Sequence, residues 1–389
     1  MKTAPRFSAA ALLAVLALAG CAPATGYAPS ATPTATPAPT ASPTPTPTPT
    51  PDALAAMSMA DKVGQMFMVG TPVDGVDPTT LAAVRDDHIG GVFLHGRSDA
   101  GTAAIAELVR AFTGVVPAGT PRLWVATDQE GGTVQVLKGP GFDRIPSALE
   151  QAAQDDTTLR ASAAAWAGQL TAAGVNMNLG PVADIVTSPE FAASNPPIGE
   201  LAREYGYDGA TVAAKAGAFA AGMREGGVLP TLKHFPGLGH VDDNTDYSTG
   251  VTDQVVTGDG PDVGVYASIL PQGDAVVMMS TADYSLIDPD VPAAFSPAVV
   301  GLLRDRLGFD GVITVDDLSA ADQVEVYSPG ERATRAIDAG VDLLLVSADP
   351  SVYPEMHQAV LARAESDPAF AAKVDAAARR ILAQKAAMP

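Results

Sequence analysis

Three short stretches hold the residues best suited to chemistry. They read Asp128-Gln129-Glu130-Gly131-Gly132, Lys233-His234-Phe235-Pro236-Gly237 and Asp316-Asp317. Each follows directly on an apolar run, at 123–127, 228–232 and 311–315, and a further run at 175–179 contains Asn178 and leads on to Asp184. Carboxylates gathered with one lysine and one histidine suit hydrolysis of a hydroxyl-rich substrate. In glycoside cleavage one carboxylate attacks the anomeric carbon while a second group protonates the leaving oxygen. Asp316 is the nucleophile candidate: it continues the run Gly311-Val312-Ile313-Thr314-Val315, and strand alternation would aim it inward. Asp317 then points away and suits a cap or a hydrogen-bond acceptor. Plain solvated loop charge is the weaker reading, because three separate strand ends carry these residues.

Residues this far apart in sequence meet only if the elements carrying them end together. Eight apolar runs, at 66–69, 91–94, 123–127, 175–179, 228–232, 275–279, 311–315 and 341–346, alternate with Ala-rich helical stretches. The helical stretches include 78–86, 103–112, 159–173, 209–224, 297–307 and 330–339, with another at 370–385. Runs apolar on both faces and separated by helices are the pattern of a parallel sheet. The expected fold is α/β, a (β/α)8 TIM-type barrel with insertions forming one catalytic domain over residues 52–389. Barrel active sites lie at the C-terminal ends of the strands, where these polar stretches fall. A doubly wound open sheet is the main alternative, but no Gly-x-Gly-x-x-Gly follows an early strand.

Composition narrows the partners. The 389-residue chain has a formal charge of −21, 47% hydrophobic residues and a single cysteine. So acidic a chain does not offer the clustered Lys and Arg that nucleic-acid binding needs. One cysteine excludes a disulfide framework or a thiolate metal cluster. His234, His240 and Asp242 do not make a metal site either, because Pro236, Gly237 and Gly239 prevent the helix that would align them; no metal or cofactor is expected. Of the first 51 residues only Lys2 and Arg6 are charged, so residues 52–389 hold 21 bases and 44 acids, a charge of −23. Residues 1–20 read as a signal peptide whose apolar segment is too short to span a bilayer. Its end, Leu18-Ala19-Gly20-Cys21, resembles the bacterial lipobox, which implies lipidation of Cys21 and a membrane anchor on the extracytoplasmic face. Residues 21–51, mostly Pro, Thr, Ala and Ser, suit an extended linker.

The segments Ala126-Thr127-Asp128-Gln129-Glu130-Gly131-Gly132, Leu232-Lys233-His234-Phe235-Pro236-Gly237 and Phe309-Asp310-Gly311-Val312-Ile313-Thr314-Val315-Asp316-Asp317-Leu318-Ser319 resemble glycoside hydrolase family 3, in its single-domain β-N-acetylhexosaminidase branch. They come in the family's order, and the resemblance runs over about 53–383. It implies a barrel, a retaining mechanism through a covalent glycosyl-enzyme, and terminal β-linked N-acetylglucosamine as substrate. By the same resemblance Asp316 is the nucleophile, Asp128 accepts hydrogen bonds from sugar hydroxyls, and Lys233, His234 and Arg203 are substrate-binding residues. Such a set is chemically sensible: a carboxylate accepts from two vicinal hydroxyls while Lys and Arg donate to others. The glycines after Glu130 would permit a tight turn and close approach of a ligand.

One departure matters. The branch places an Asp-x-His dyad, with His as the acid/base, in the loop that here reads Leu238-Gly239-His240-Val241-Asp242-Asp243-Asn244-Thr245-Asp246-Tyr247. Counting puts Asn244 at the dyad Asp and Asp246 at the His. Three outcomes follow: Asp246 serves as a carboxylic acid if desolvation raises its pKa, His240 swings in with Asp242 or Asp243 orienting it, or catalysis is impaired. An ionised Asp in that place would also repel an approaching phosphate, so water is the expected acceptor. The expected enzyme releases N-acetylglucosamine from cell-wall fragments. Its rivals are a β-glucosidase specificity and a lipid-anchored sugar-binding protein with lost acid function.

Overall fold

The structure, a computed structural model, describes residues 53–388; the expected signal peptide, the expected lipidation site Cys21 and the expected linker over 21–51 lie outside the described residues. All eight expected strands form: β1 Phe67–Pro72, β2 Gly91–His95, β3 Trp124–Thr127, β4 Met177–Asn178, β5 Leu229–Phe235, β6 Val276–Met279, β7 Ile313–Val315 and β8 Leu344–Val346. They pair in parallel in the order β7-β6-β5-β4-β3-β2-β1-β8. A parallel bridge between Thr314 and Leu343 joins β7 to the approach to β8 and closes the ring. The sheet is therefore a (β/α)8 barrel, and every side chain of β3, β5, β6, β7 and β8 is buried. Burial inside the barrel on one face and under helices on the other is what demanded runs apolar at successive positions.

Each strand is followed by a helix: α1 Pro78–Asp86, α2 Gly101–Thr113, α3 Asp156–Ala172, α4 Gly209–Glu225, α5 Pro261–Ile269, α6 Pro297–Gly301, α7 Pro329–Ala339 and α8 Tyr353–Ser366. A last helix, α9 Pro368–Ala387, closes the chain. Side-chain oxygens of Asp77, Asp155, Asp208, Ser296, Ser328 and Asp367 cap six of these nine helices at their first turns. The two that the sequence did not announce, α5 and α8, both begin without a side-chain cap, so their start signals are weak. No helix among the described residues is long and apolar enough to cross a membrane.

The strand boundaries depart from the apolar runs by a residue or more, and two of these departures bear on the site. β4 is only two residues long, and just before it the Asn176 backbone N–H still donates to the Val125 carbonyl at 3.0 Å while the Asn176 side-chain amide adds two more bonds. Its Oδ1 accepts the Val125 N–H at 2.9 Å, and its Nδ2 donates to the Leu123 carbonyl at 3.0 Å. β5 runs on through Lys233, His234 and Phe235, where its register against β6 shifts between Leu232 and Phe235. Such an irregularity breaks the in/out alternation, so that consecutive Lys233 and His234 both line one pocket.

The C-terminal ends of the strands carry further small elements. Gln129–Gly131 pairs antiparallel with Val134–Gln135. A three-stranded sheet joins Asp288–Pro292, Asp283–Tyr284 and Thr252–Asp253 and braces the loops after β5 and β6. The turn after Glu130 needs its glycines, for Gly131 has φ +114° and a Cβ there would lie 2.1 Å from the Pro146 carbonyl. The close approach is thus by the chain's own backbone, where the sequence had suggested a ligand.

Candidate active site

A cavity of about 400 Å³ opens at the C-terminal ends of the strands. Asp128, Arg203, Lys233, His234, Asp246 and Asp316 all line it, and His240 does not. Six of the seven residues singled out for catalysis and substrate binding are thereby brought together from five separate stretches of chain.

Its basic floor is a four-residue charge network. Lys233 Nζ contacts Asp128 Oδ1 at 2.7 Å and Glu130 Oε1 at 2.6 Å. Arg203 grips Glu130 in a fork, Nε to Oε2 at 2.9 Å and Nη2 to Oε1 at 2.8 Å, while Nη1 donates to the Pro197 carbonyl at 2.7 Å. Two acids thus balance two bases, which is how buried charges are tolerated. Burial alone would raise the Glu130 carboxyl, but Arg203 and Lys233 outweigh it and hold its pKa at about 2. Burial likewise opposes the charge on Lys233, and Asp128 and Glu130 overcome it and raise its pKa. An ammonium has three N–H groups and a guanidinium five. With two and three of them engaged, Lys233 keeps one and Arg203 two for a ligand.

A second network fixes the groups beside Asp316. The Asp184 carboxylate is fully buried and accepts the backbone N–H groups of His234 at 3.0 Å and Leu238 at 2.9 Å, and meets His234 Nδ1 at 2.8 Å. A carboxylate only accepts, so Nδ1 carries the proton. His234 Nε2 then faces Asp316 Oδ2 at 4.0 Å. Asp316 is part-exposed to the cavity, its backbone N–H held by the Met279 carbonyl at 3.0 Å and its Oδ1 accepting the Asp317 N–H at 2.9 Å. The Asp317 carboxylate touches the edge of the cavity but is occupied. It accepts from Ser319 Oγ and N and from the backbone N–H groups of Ser347 and Ala348. That is the acceptor role its alternation suggested, and it ties the loop after β7 to the loop after β8.

The loop after β5 presents Asp246. Asn244, at the position where counting placed the dyad Asp, accepts the Asp246 N–H on Oδ1 at 2.9 Å. The loop is fastened to the one-turn helix Asp322–Val324 after β7, whose Asp322 and Gln323 N–H groups donate to the carbonyls of Asp246 and Thr245 at 3.4 and 3.2 Å. Gln323 also accepts the Val251 N–H at 2.8 Å. The Asp246 carboxylate makes no hydrogen bond among the described residues, and it faces a cavity that is crowded but open to water. Asp246 is exposed on its outer side, so it is the crowding of protein around the carboxylate, and not exclusion from water, that first raises its pKa; the nearby Asp316 raises it further, Arg203 and His234 oppose, and the balance stands at about 6. His240 lies elsewhere: Nε2 meets Asp262 Oδ1 at 3.0 Å and Nδ1 meets Thr187 Oγ1 at 2.8 Å. Burial would lower its pKa, but Asp262 raises it. With both ring nitrogens engaged, His240 is not poised to reach the cavity, and its suggested partners Asp242 and Asp243 make no bond to it.

Glu130, Asp184 and Gln323 are the polar residues whose parts the sequence did not give away. Glu130 stands two residues beyond Asp128, so period-two alternation could have placed both on one face; Asp184 sits in irregular chain and Gln323 in a single helical turn, neither with such a signal. Among the described residues no group of three or more His, Cys, Asp or Glu is placed to share a metal ion.

Residues 58–384 match the glycosyl hydrolase family 3 N-terminal domain. The chain is 34% identical over 325 residues to the β-hexosaminidase LpqI of Mycobacterium tuberculosis, with 79% of each protein covered. It superposes on the crystal structure of a β-N-acetylhexosaminidase from Beutenbergia cavernae with a TM-score of 0.84 and 55% identity, covering 85% of this chain and 99% of that one. A family 3 β-N-acetylglucosaminidase from a Paenibacillus species matches with a TM-score of 0.78 and 31% identity, over 85% of this chain and 62% of that one.

Proposed function

The chain belongs to glycoside hydrolase family 3 and is a β-N-acetylhexosaminidase, and from that premise we propose that it is a retaining exo-enzyme with Asp316 as nucleophile and Asp246 as acid/base. The observation that carries this reading is that the two carboxylates, borne on different loops, line one cavity together with the grip residues Asp128, Lys233, Arg203 and His234. Asp128 accepts from hydroxyls of the terminal sugar, and the spare N–H groups of Lys233 and Arg203 donate to it. The Asp316 carboxylate attacks the anomeric carbon. The bond to the aglycone oxygen breaks as Asp246 passes it a proton, leaving a glycosyl ester on Asp316. Asp246, now ionised, takes a proton from water; the water oxygen attacks the same carbon, and Asp316 leaves as carboxylate.

The raised pKa of Asp246, about 6, supports that double role, since a group that donates and then accepts works best near the ambient pH. Its carboxylate also supports water over phosphate as acceptor. The relatives named above are described as β-hexosaminidases or β-N-acetylglucosaminidases, which favours N-acetylglucosamine over glucose. Cell-wall fragments are the natural source in this reading. The protein is tethered by lipid at Cys21, so that Cys21→Ser should move it from the membrane fraction to the medium. The test of the catalytic reading is hydrolysis of a chromogenic N-acetylglucosaminide with a very good leaving group, on which departure needs no acid. A wild-type enzyme no faster than Asp316→Asn would end the enzyme reading in favour of a sugar-binding protein.

A further inference from the structure

Tyr247 is the residue next to Asp246, and it is 79% exposed although its ring is large and apolar. Its hydroxyl makes no hydrogen bond among the described residues, so nothing in the fold accounts for the ring's position. The position itself is held. The Tyr247 N–H donates to the Asn244 carbonyl at 3.1 Å, in the same turn in which Asn244 Oδ1 accepts from Asp246. The fastening of Thr245 and Asp246 to Gln323 and Asp322 fixes that turn against the loop after β7. Tyr247 lines the same cavity as Asp246 and Asp316.

We propose that Tyr247 is the stacking platform of a second subsite, which binds the pyranose ring on the leaving-group side of the scissile bond. The proposal rests on the assignment of Asp246 as the acid. A general acid must touch the glycosidic oxygen, the atom that joins the terminal sugar to the rest of the substrate. The terminal sugar occupies the side of that oxygen defined by Asp128, Lys233 and Asp316. The neighbour of the acid that stands out toward solvent therefore faces the sugar on the other side. The occupant is a β-linked pyranose, whose equatorial substituents leave axial C–H groups on both ring faces. Such a face packs flat on an aromatic ring and removes the exposed apolar surface of Tyr247 from water. The subsite would orient the aglycone so that its oxygen lies at the acid, which is where binding energy from a remote part of the substrate improves the rate.

The test compares wild type, Tyr247→Ala and Tyr247→Phe on N,N′-diacetylchitobiose, whose leaving group is a pyranose, and on methyl β-N-acetylglucosaminide, whose leaving group has no ring. Both leaving groups are alkoxides that need the acid, so displacement of Asp246 would slow both alike. Tyr247→Ala should lower kcat/KM on the disaccharide about 2- to 10-fold further than on the methyl glycoside, the range of one aromatic contact. Tyr247→Phe, which keeps the ring, should restore that difference. Equal losses on the two substrates, no loss on either, or a Tyr247→Phe variant as impaired as Tyr247→Ala would each overturn the subsite. A wild type inactive on both substrates would instead overturn the hexosaminidase reading, and the subsite with it.

Discussion

Replacing Asp246 with Asn keeps the shape of the side chain and removes its proton. In the wild type, the crowding of protein around the carboxylate and the Asp316 charge bring the Asp246 pKa to about 6 against the opposing pull of Arg203 and His234. At pH 7 roughly one-tenth of the molecules then carry the catalytic proton, and kcat/KM on a substrate with a sugar leaving group should fall as pH rises through about 6. Asp246→Asn should lower kcat/KM on that substrate by about 10²- to 10⁴-fold, or roughly 3–5 kcal/mol of barrier, and abolish the alkaline limb. On a 2,4-dinitrophenyl N-acetylglucosaminide, whose leaving group departs unaided, the first step should survive. Hydrolysis of the glycosyl ester, which needs the same carboxylate as base, should slow, so that stopped-flow traces show a burst of phenolate. The assay is therefore a pH–rate profile on both substrates with pre-steady-state traces. An Asp246→Asn enzyme that keeps the alkaline limb, or that loses equally on both leaving groups, would refute the assignment.

Glu130→Gln should be a stability mutant as well as a binding one, because it leaves Lys233 with Asp128 as its charged partner and takes the carboxylate fork away from Arg203, which keeps its bond to the Pro197 carbonyl. Breaking a buried charge network of this kind costs about 3–5 kcal/mol, which calorimetry should read as a Tm lower by roughly 4–7 °C in a folded unit of this size. Since the Glu130 pKa is depressed from 4.5 to about 2, its stabilisation is present above about pH 4.5 and is lost as pH falls through about 2; acid unfolding of Glu130→Gln should be correspondingly less steep in that window. His240→Asn should retain the alkaline limb near pH 6, because the imidazole is bound to Asp262 and Thr187 away from the cavity; loss of that limb would make His240 the acid instead. Added phosphate should yield free N-acetylglucosamine and no sugar 1-phosphate by NMR, since a carboxylate stands where an anionic acceptor would approach.

The barrel was readable because its physics is periodic. Strands covered on both faces need apolar residues at every position, and all eight runs became strands. Polar residues that interrupt such runs at their C-terminal ends, Asp128, Lys233, His234 and Asp316, could be located for the same reason. What stayed hidden is non-periodic. The Asn176 amide that bonds the start of β3, the Asp184 carboxylate that orients His234, and the Gln323 clasp on the Asp246 loop are single side chains whose partners lie 50–72 residues away. The loop after β5 shows the limit well: counting placed Asp246 opposite the usual histidine, but only the fastening of that loop through Asp322 and Gln323 brings it into the cavity and leaves His240 out.

The account stands or falls on Asp316 as the residue that becomes glycosylated. Its most direct test is to treat the enzyme with a slow-reacting, ring-fluorinated N-acetylglucosaminyl fluoride and map the modified peptide by tandem mass spectrometry. One added sugar, esterified to Asp316 and absent from Asp316→Asn, is the predicted result. A sugar on Asp317, Asp128 or Asp246, or an enzyme that turns the reagent over with no covalent adduct, would contradict it.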